Sequence, residues 1–432
     1  MGNQPSQISG EVNLDPVVAA GQLASALAPF QITADGIWTW FTDPRARSDA
    51  VDGGDNTFVM AVDAAGTCRI HHIDLTGPTV TSANLSAIAL EDDDHNNGSI
   101  NFLPDGRLLA FYGKHNDTFF RYKVSTSPKD ISAWSAEQAR GNGSGLLYSY
   151  PNAFQFDNAG TGRWFLFYRQ GGGGGAAPSL SYRTCDDITT FPAATWSAET
   201  DVYFMTGDTP YWKLAHDGAN RLHVVCTDLH PVQGQSSLFH FYIECDGVGV
   251  LHYYTSAGVE IASPPFVASE FTQIYDGSTT KCWVSDAIVD SDGNPRVLWM
   301  RYPGNDGSAI EYWHARWDGD EWLTAKITDD GAGLYSPEVY YHGGMAFDTA
   351  NPDRIYLSAP ISGVRQIQEW RTTDNGATWA QHRVITSGGT AGNPLRGRPF
   401  SPYGHDGRLS VIWWEGSYVT FENYFTSVRG AG

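Results

Sequence analysis

The sequence predicts an all-β fold in which seven repeated β-units close into a ring, a seven-bladed β-propeller, with a short helical extension ahead of it. Two observations predict it. A turn phrase, Asp/Gly/Asn followed by a basic residue and an apolar or aromatic run, recurs seven times. It appears as DAAGTCRI from Asp63, PDGRLLAFY from Pro104, DNAGTGRWFLFY from Asp157, HDGANRLHVV from His216, SDGNPRVLWM from Ser291, NPDRIYLSA from Asn351 and HDGRLSVIWW from His405. The composition agrees: 432 residues carry 47 Gly and 22 Pro beside 15 Trp, 21 Tyr and 21 Phe, as many short strands joined by tight turns require.

Each phrase reads as a hairpin turn feeding a strand, because Gly and Asn tolerate positive φ and the residues that follow are β-formers. The turns stand about 40 to 75 residues apart, near the 40–50-residue blade period of known propellers once loops are allowed for. Between them a Trp repeatedly ends a Ser/Thr/Asp-rich stretch, at Trp134, Trp196, Trp322 and Trp379. The last stretch, TTDNGATW from Thr372, fits the pattern S/T-x-D-x-G-x-T-W. It resembles the Asp box of bacterial neuraminidase repeats, a structural hairpin lock that does not reveal the chemistry. Closing the ring leaves only short strand edges. A first strand over 37–41 is expected to complete the last blade near 418–425, so that the two chain ends meet. Ahead of the ring, Asp15-Pro16 and a run halted by Pro29 predict a helix over 16–28. The expected division is an extension over 1–35, serving as a packed leader or as a trimerisation or virion-attachment segment, and a propeller over 36–432.

Charge and cysteines narrow the function. With 27 Lys+Arg against 48 Asp+Glu the formal charge is −21, which disfavours nucleic acid and anionic membranes as partners. No run approaches the roughly 20 apolar residues of a membrane span, so membrane insertion is not expected. The start, MGNQPSQISG, lacks the basic region of a signal peptide. Cys68, Cys185, Cys226, Cys245 and Cys282 show no CxxC and read as buried inert thiols.

The polar residues at predicted strand ends carry the functional signal. Glu91-Asp92-Asp93-Asp94-His95-Asn96-Asn97 precedes a strand over 99–103, and a carboxylate beside His95 would fix one imidazole tautomer and raise its basicity. Lys114 and His115 follow the strand over 108–112. Tyr148-Ser149-Tyr150-Pro151-Asn152 begins the next unit, and Arg169 ends WFLFYR before the glycine tract 171–175. Tyr211 and His230 occupy equivalent places in the unit after it. A solvated acidic loop, a flanking arginine and lone structural aromatics are the bland readings of each. Taken together, these groups converge on one face of a propeller.

The ordered set DDHNNGSINFLPDGRLLAFYGKHND, SYPNAF with WFLFYR, TPYWKL and TDLHP resembles the neuraminidase-repeat polysaccharide lyases, above all the seven-bladed ulvan lyases. The resemblance covers roughly residues 92–240 in motifs and the rest only in periodicity. It implies β-elimination on a uronic-acid polysaccharide, and a secreted or virion-borne protein is the expected setting. Under it His95 and Tyr150 are the acid and base in either order, and Arg169 neutralises the uronate carboxylate. His115, Tyr211 and His230, with Asn96 and Lys114, bind substrate. The reaction needs no cofactor. Some relatives hold a structural metal, and His223, His230, His240, His252, Cys226 and Cys282 are available ligands in no standard zinc spacing, so the metal stays unassigned. Two alternatives stand beside the lyase. One is a sialidase-like glycoside hydrolase, although Arg301-Tyr302-Pro303 is a poor match to an Arg-Ile-Pro opening motif. The other is a non-catalytic carbohydrate-binding propeller such as a phage receptor-binding head.

Overall fold

A computed structural model of the protein describes residues 25–141, 145–156, 162–171, 178–185, 195–204, 211–336 and 338–432. Among them, seven antiparallel sheets form the blades of a β-propeller. In chain order the blades span 46–84, 99–140, 148–204, 212–275, 282–331, 345–384 and 395–431. Each blade has four strands, and the fourth blade adds a fifth, Thr272–Tyr275, paired with Leu238–Cys245. The second strands are the apolar ones: Leu108–Tyr112, Arg163–Gln170 and Pro295–Arg301 are buried nearly end to end, as expected of strands covered on both faces by neighbouring blades.

Six of the seven turn phrases join the first and second strands of a blade, the one from Asp157 running through 157–161, outside the described residues. The phrase from Asp63 differs. It joins the second and third strands of blade 1, Asn56–Val62 and Cys68–Asp74. The first turn of that blade, over 49–55, is followed by the polar pair Asn56-Thr57, so the pattern passes over it.

Ring closure is made by an earlier strand than expected. Phe30–Thr33 pairs antiparallel with Asn423–Ala431, Phe30 opposite Gly430, and becomes the outermost strand of blade 7. The propeller therefore begins before residue 36. Of the helix expected over 16–28, residues 25–28 are not helical, and the remainder lies outside the described residues, as does any attachment segment there. No helix among the described residues is long and apolar enough to cross a membrane.

The stretch 37–43, of which 37–41 was expected as a strand, instead fills the ring axis. Ile37 bridges Val62 of blade 1. The Thr39 N–H donates to the Asp94 carbonyl ahead of blade 2 (2.9 Å), and the Asp43 N–H donates to Asn152 Oδ1 of blade 3 (2.7 Å). Lys213 Nζ of blade 4 donates to the Trp40 carbonyl (2.8 Å). Trp40 Nε1 donates to the Val284 carbonyl of blade 5 (3.1 Å), and Trp38 Nε1 to the Arg398 carbonyl of blade 7 (2.9 Å). Backbone buried on the axis must find partners, and here the blades supply them. Lys213 also pairs with Asp43 and lies 3.5 Å from Asp286, so the buried charges of this plug are compensated.

The Asp box locks the last hairpin of blade 6, between Val364–Arg371 and Ala380–Val384. Asp374 Oδ1 accepts from Thr372 Oγ1 (2.8 Å) and the Thr378 N–H (2.8 Å), while the Gly376 N–H donates to Thr372 Oγ1 (2.8 Å). Gly376 sits at φ +85°, and a Cβ there would stand 2.2 Å from His314 Cε1. Gly376→Ala is therefore expected to destabilise the fold by about 1–3 kcal/mol, the scale of a strained positive-φ residue. Equilibrium denaturation checks this, and an unchanged midpoint would contradict it.

Candidate active site

The groups singled out at strand ends meet on one face of the ring, because each lies just before or at the start of a first strand, or at the end of or just after a second one. His95 lies in the short 3-10 turn Asp94–Asn96, whose cap Asp93 accepts the His95 N–H through Oδ1 (2.8 Å). The same carboxylate then serves two imidazoles. Its Oδ1 holds His95 Nδ1, and its Oδ2 lies 3.0 Å from His115 Nδ1. The rings stack with centroids 4.2 Å apart. Asn96 makes this possible without facing the site itself: Nδ2 donates to the Glu91 carbonyl (2.7 Å), and Oδ1 accepts the His115 N–H (2.5 Å). Both ends of this amide, expected to contact substrate, are thus engaged by backbone groups. Lys114 is half-buried, and its charge acts on Glu91 rather than on the gathered rings.

Tyr150 is presented by a bulge. The register of strand Tyr148–Phe156 slips between Ser149 and Asn152, and Tyr150 takes φ +60°. Pro151, with no N–H for the ladder, suits such a break. Asn152 Nδ2 fixes the bulge by donating to the Tyr150 and Phe41 carbonyls (2.8 and 3.1 Å). The Tyr150 ring lies under the Arg169 guanidinium, 4.6 Å from its centroid, and its hydroxyl is buried without a hydrogen-bond partner.

Arg169 joins the set together. Nη2 contacts His115 Nε2 (3.1 Å), Asn116 Oδ1 (3.3 Å) and Ser149 Oγ (3.3 Å), and Nη1 donates to Tyr211 Oη (3.3 Å). All four partners are neutral, and it makes no salt bridge among the described residues. Tyr211 packs on His230 (5.2 Å between centroids), and His230 on Trp283 (4.6 Å). Phe41 of the axial plug forms the floor against Tyr150 and Tyr211 (5.3 and 4.6 Å).

Three further side chains of this cluster, Tyr341, Glu338 and Arg398, escaped the sequence reading. Tyr341 Oη lies 3.0 Å from His95 Nε2. Its signal was positional, since it precedes the first strand of blade 6 much as His95 precedes that of blade 2. Glu338 is 4.0 Å from His230 Nε2, and its carboxyl is pushed up to about 7 by burial. Arg398 of blade 7 is fully buried at φ +50° and holds Asp94 Oδ2, which also accepts from Tyr418 Oη (2.7 Å). Gly344 lets the Arg398 backbone pass: a Cβ at Gly344 would lie 2.7 Å from the Arg398 Cα. Asp94 Oδ1 is in turn 3.1 Å from His95 Nδ1. No local pattern connects residues 94 and 398.

Asp93, His95 and His115 are the one group among the described residues with metal-ligand spacing, their ligand atoms within 4.8 Å of one another. The Nδ1 atoms and the carboxylate already satisfy each other, and we assign no metal there. The cysteines and histidines considered for a metal do not gather. His223 Nδ1 bonds His240 Nε2 (2.9 Å), His252 bonds Glu260 (2.9 Å), and Cys282 Sγ contacts the Ser236 carbonyl (3.0 Å). All five cysteines are buried, as expected.

The two stacked imidazoles are driven apart electrostatically. Burial opposes the charged form of His95, but Asp93 and Asp94 overcome it and raise its pKa above the usual value. For His115, burial, then the neighbouring His95 and Arg169, push the pKa down to about 4. Burial holds the Tyr150 phenol far above its usual range, so it keeps its proton at neutral pH. Imidazole NMR titration is therefore expected to show His115 neutral down to about pH 4 while His95 stays charged above the ordinary 6.5. Asp93→Asn should lower the His95 value. Coincident titration of both rings near the ordinary value would contradict this.

A family model described as BNR repeat-containing family member matches residues 56–330. No curated protein matches the chain. Among solved structures, an ulvan lyase bound to -[GlcA(1-4)Rha3S]- aligns with a TM-score of 0.70 at 14% identity, over 94% of this chain and 95% of that one. The polysaccharide lyase Uly1 aligns with a TM-score of 0.56 at 12% identity, over 93% and 97%. The lectin BP39L from Burkholderia pseudomallei gives 0.51 at 12% identity, over 92% and 96%. At these identities the likeness is one of fold. With well over half of its length matched, the chain belongs to the BNR repeat-containing family.

Proposed function

We propose that the protein is a polysaccharide lyase that cleaves a uronic-acid-containing polysaccharide by β-elimination. The observation that carries this reading is Arg169, a buried guanidinium whose partners are all neutral, set against two histidines and a tyrosine. A buried cation without a counter-ion is costly, and a substrate carboxylate would relieve that cost. The ulvan lyase with the same fold was solved bound to a glucuronate-containing sugar, which supports this substrate class.

The chemistry follows from charge. Removing the C5 proton of a uronate places a second negative charge beside its carboxylate. Arg169 would offset that charge where it develops, in a site whose low dielectric strengthens the interaction. His95, its Nδ1 held by Asp93, would take the proton on Nε2 in its neutral form, which its raised pKa confines to pH above the ordinary 6.5, once Tyr341 yields its place. The C5–H electron pair becomes the C4=C5 double bond, and the C4–O4 pair leaves with O4. Tyr150, which retains its phenolic proton, would supply it to O4. His115 is already committed to Asp93 and Arg169, and so orients the site. Tyr211 and His230 extend an aromatic wall on which neighbouring sugars stack.

Incubation with a panel of uronate polysaccharides should raise ultraviolet absorbance as unsaturated uronate ends form. Arg169→Ala, His95→Ala and Tyr150→Phe are each expected to lower kcat/KM by about 10²-fold or more, the scale of general acid–base catalysis or one oxyanion donor. Cleavage without new absorbance would favour a hydrolase. Binding without cleavage, weakened by the same substitutions, would favour a lectin.

A further inference from the structure

A second concave site lies at the opposite end of the ring. The strands that carry the candidate active site at one end carry this cavity at the other: Asn101 near the end of Ser99–Phe102, Gln155 near the end of Tyr148–Phe156, Trp164 near the start of Arg163–Gln170 and His216 at the end of Trp212–His216. Arg47, Tyr403 and Pro44, which directly follows the axial plug, complete it. The volume is about 260 Å³. That lies below the roughly 300–1,000 Å³ of drug-sized ligand sites, and suits a ligand of one sugar ring.

The lining has unspent hydrogen-bonding capacity of a particular kind. Arg47 has no salt bridge among the described residues, and its Nε is buried without an acceptor. Burial, the largest influence on it, lowers its pKa, and Tyr403 of the same lining, then Asp52, partly offset this. His216 Nδ1 accepts the Gly218 N–H (3.2 Å), which places the ring proton on Nε2, and that atom and Trp164 Nε1 are also buried without partners. The amides of Asn101 and Gln155 spend their NH₂ groups on the Ala153 and Gly162 carbonyls, leaving their oxygens to accept. One cation, free N–H donors, two amide acceptors and aromatic walls together match a carboxylate joined to a hydroxylated ring.

We propose that this cavity is a second ligand site, which binds a sugar acid through Arg47, separately from the polysaccharide cleft. The proposal does not depend on lyase activity. It is tested by calorimetric titration of D-glucuronate into the full-length Arg169→Met variant, which removes the carboxylate partner of the other face, and into Arg169→Met/Arg47→Met. The first should bind, and adding Arg47→Met should weaken binding by at least about tenfold, the loss expected for a charge-assisted pair. D-glucose should bind neither. Equal affinity of the two variants for glucuronate would overturn the proposal. So would sulfate binding as tightly as glucuronate, since that marks an adventitious anion only. If Arg47→Met does not fold, Gln155→Leu on the same background should weaken binding several-fold, and unchanged affinity would overturn the proposal equally.

Discussion

The axial segment 37–43 is the constraint on which the site depends. A seven-bladed ring leaves a central channel, and in this protein a stretch of chain bonded to blades 1, 2, 3, 4, 5 and 7 fills it. Its Trp40 also meets His342, between blades 5 and 6, with centroids 4.6 Å apart. The plug turns a pore into a floored cleft: Phe41 supports Tyr150 and Tyr211, and Trp40 supports Tyr341 and Arg398. Without a floor, the rings that surround Arg169 would face water and the guanidinium would be screened.

On that floor the chemistry depends on an unequal distribution of charge. Asp93 satisfies two imidazoles, Asp94 is neutralised from across the ring by Arg398, and Arg169 alone of this group has only neutral neighbours. Arg398 acts on both sides of His95, pairing with Asp94 near Nδ1 and lying 5.2 Å from the Tyr341 ring whose hydroxyl meets Nε2. By cancelling Asp94 it limits how firmly His95 holds a proton, so that the imidazole remains able to exchange one.

The blade count and the site's strand-end residues were legible in the sequence because both are written locally. A turn followed by a basic residue and an apolar run marks one hairpin in each blade, the first in six of them, and a polar residue beside a strand end marks the rim. The Asp box was legible for the same reason, each of its bonds lying within five residues. What escaped depends on distance along the chain. The plug over 37–43 has the apolar, aromatic texture of a strand, and only the closed ring shows that its partners are six different blades. Closure by Phe30–Thr33 was missed because that short run lay inside a predicted extension. Arg398 and Asp94 lie 304 residues apart, so their pairing follows from topology alone. Asn96 stood in the right cluster, but its two amide ends are spent on backbone, which composition cannot reveal.

The decisive measurement is isotopic. Cleavage of a uronate polysaccharide in H₂¹⁸O, followed by mass spectrometry of the fragments, separates elimination from hydrolysis without reference to rate. Elimination directed by Arg169 predicts fragments whose masses sum to that of the parent chain, with no ¹⁸O at the new ends. Fragments heavier by one water, carrying ¹⁸O at the cleaved linkage, would contradict it.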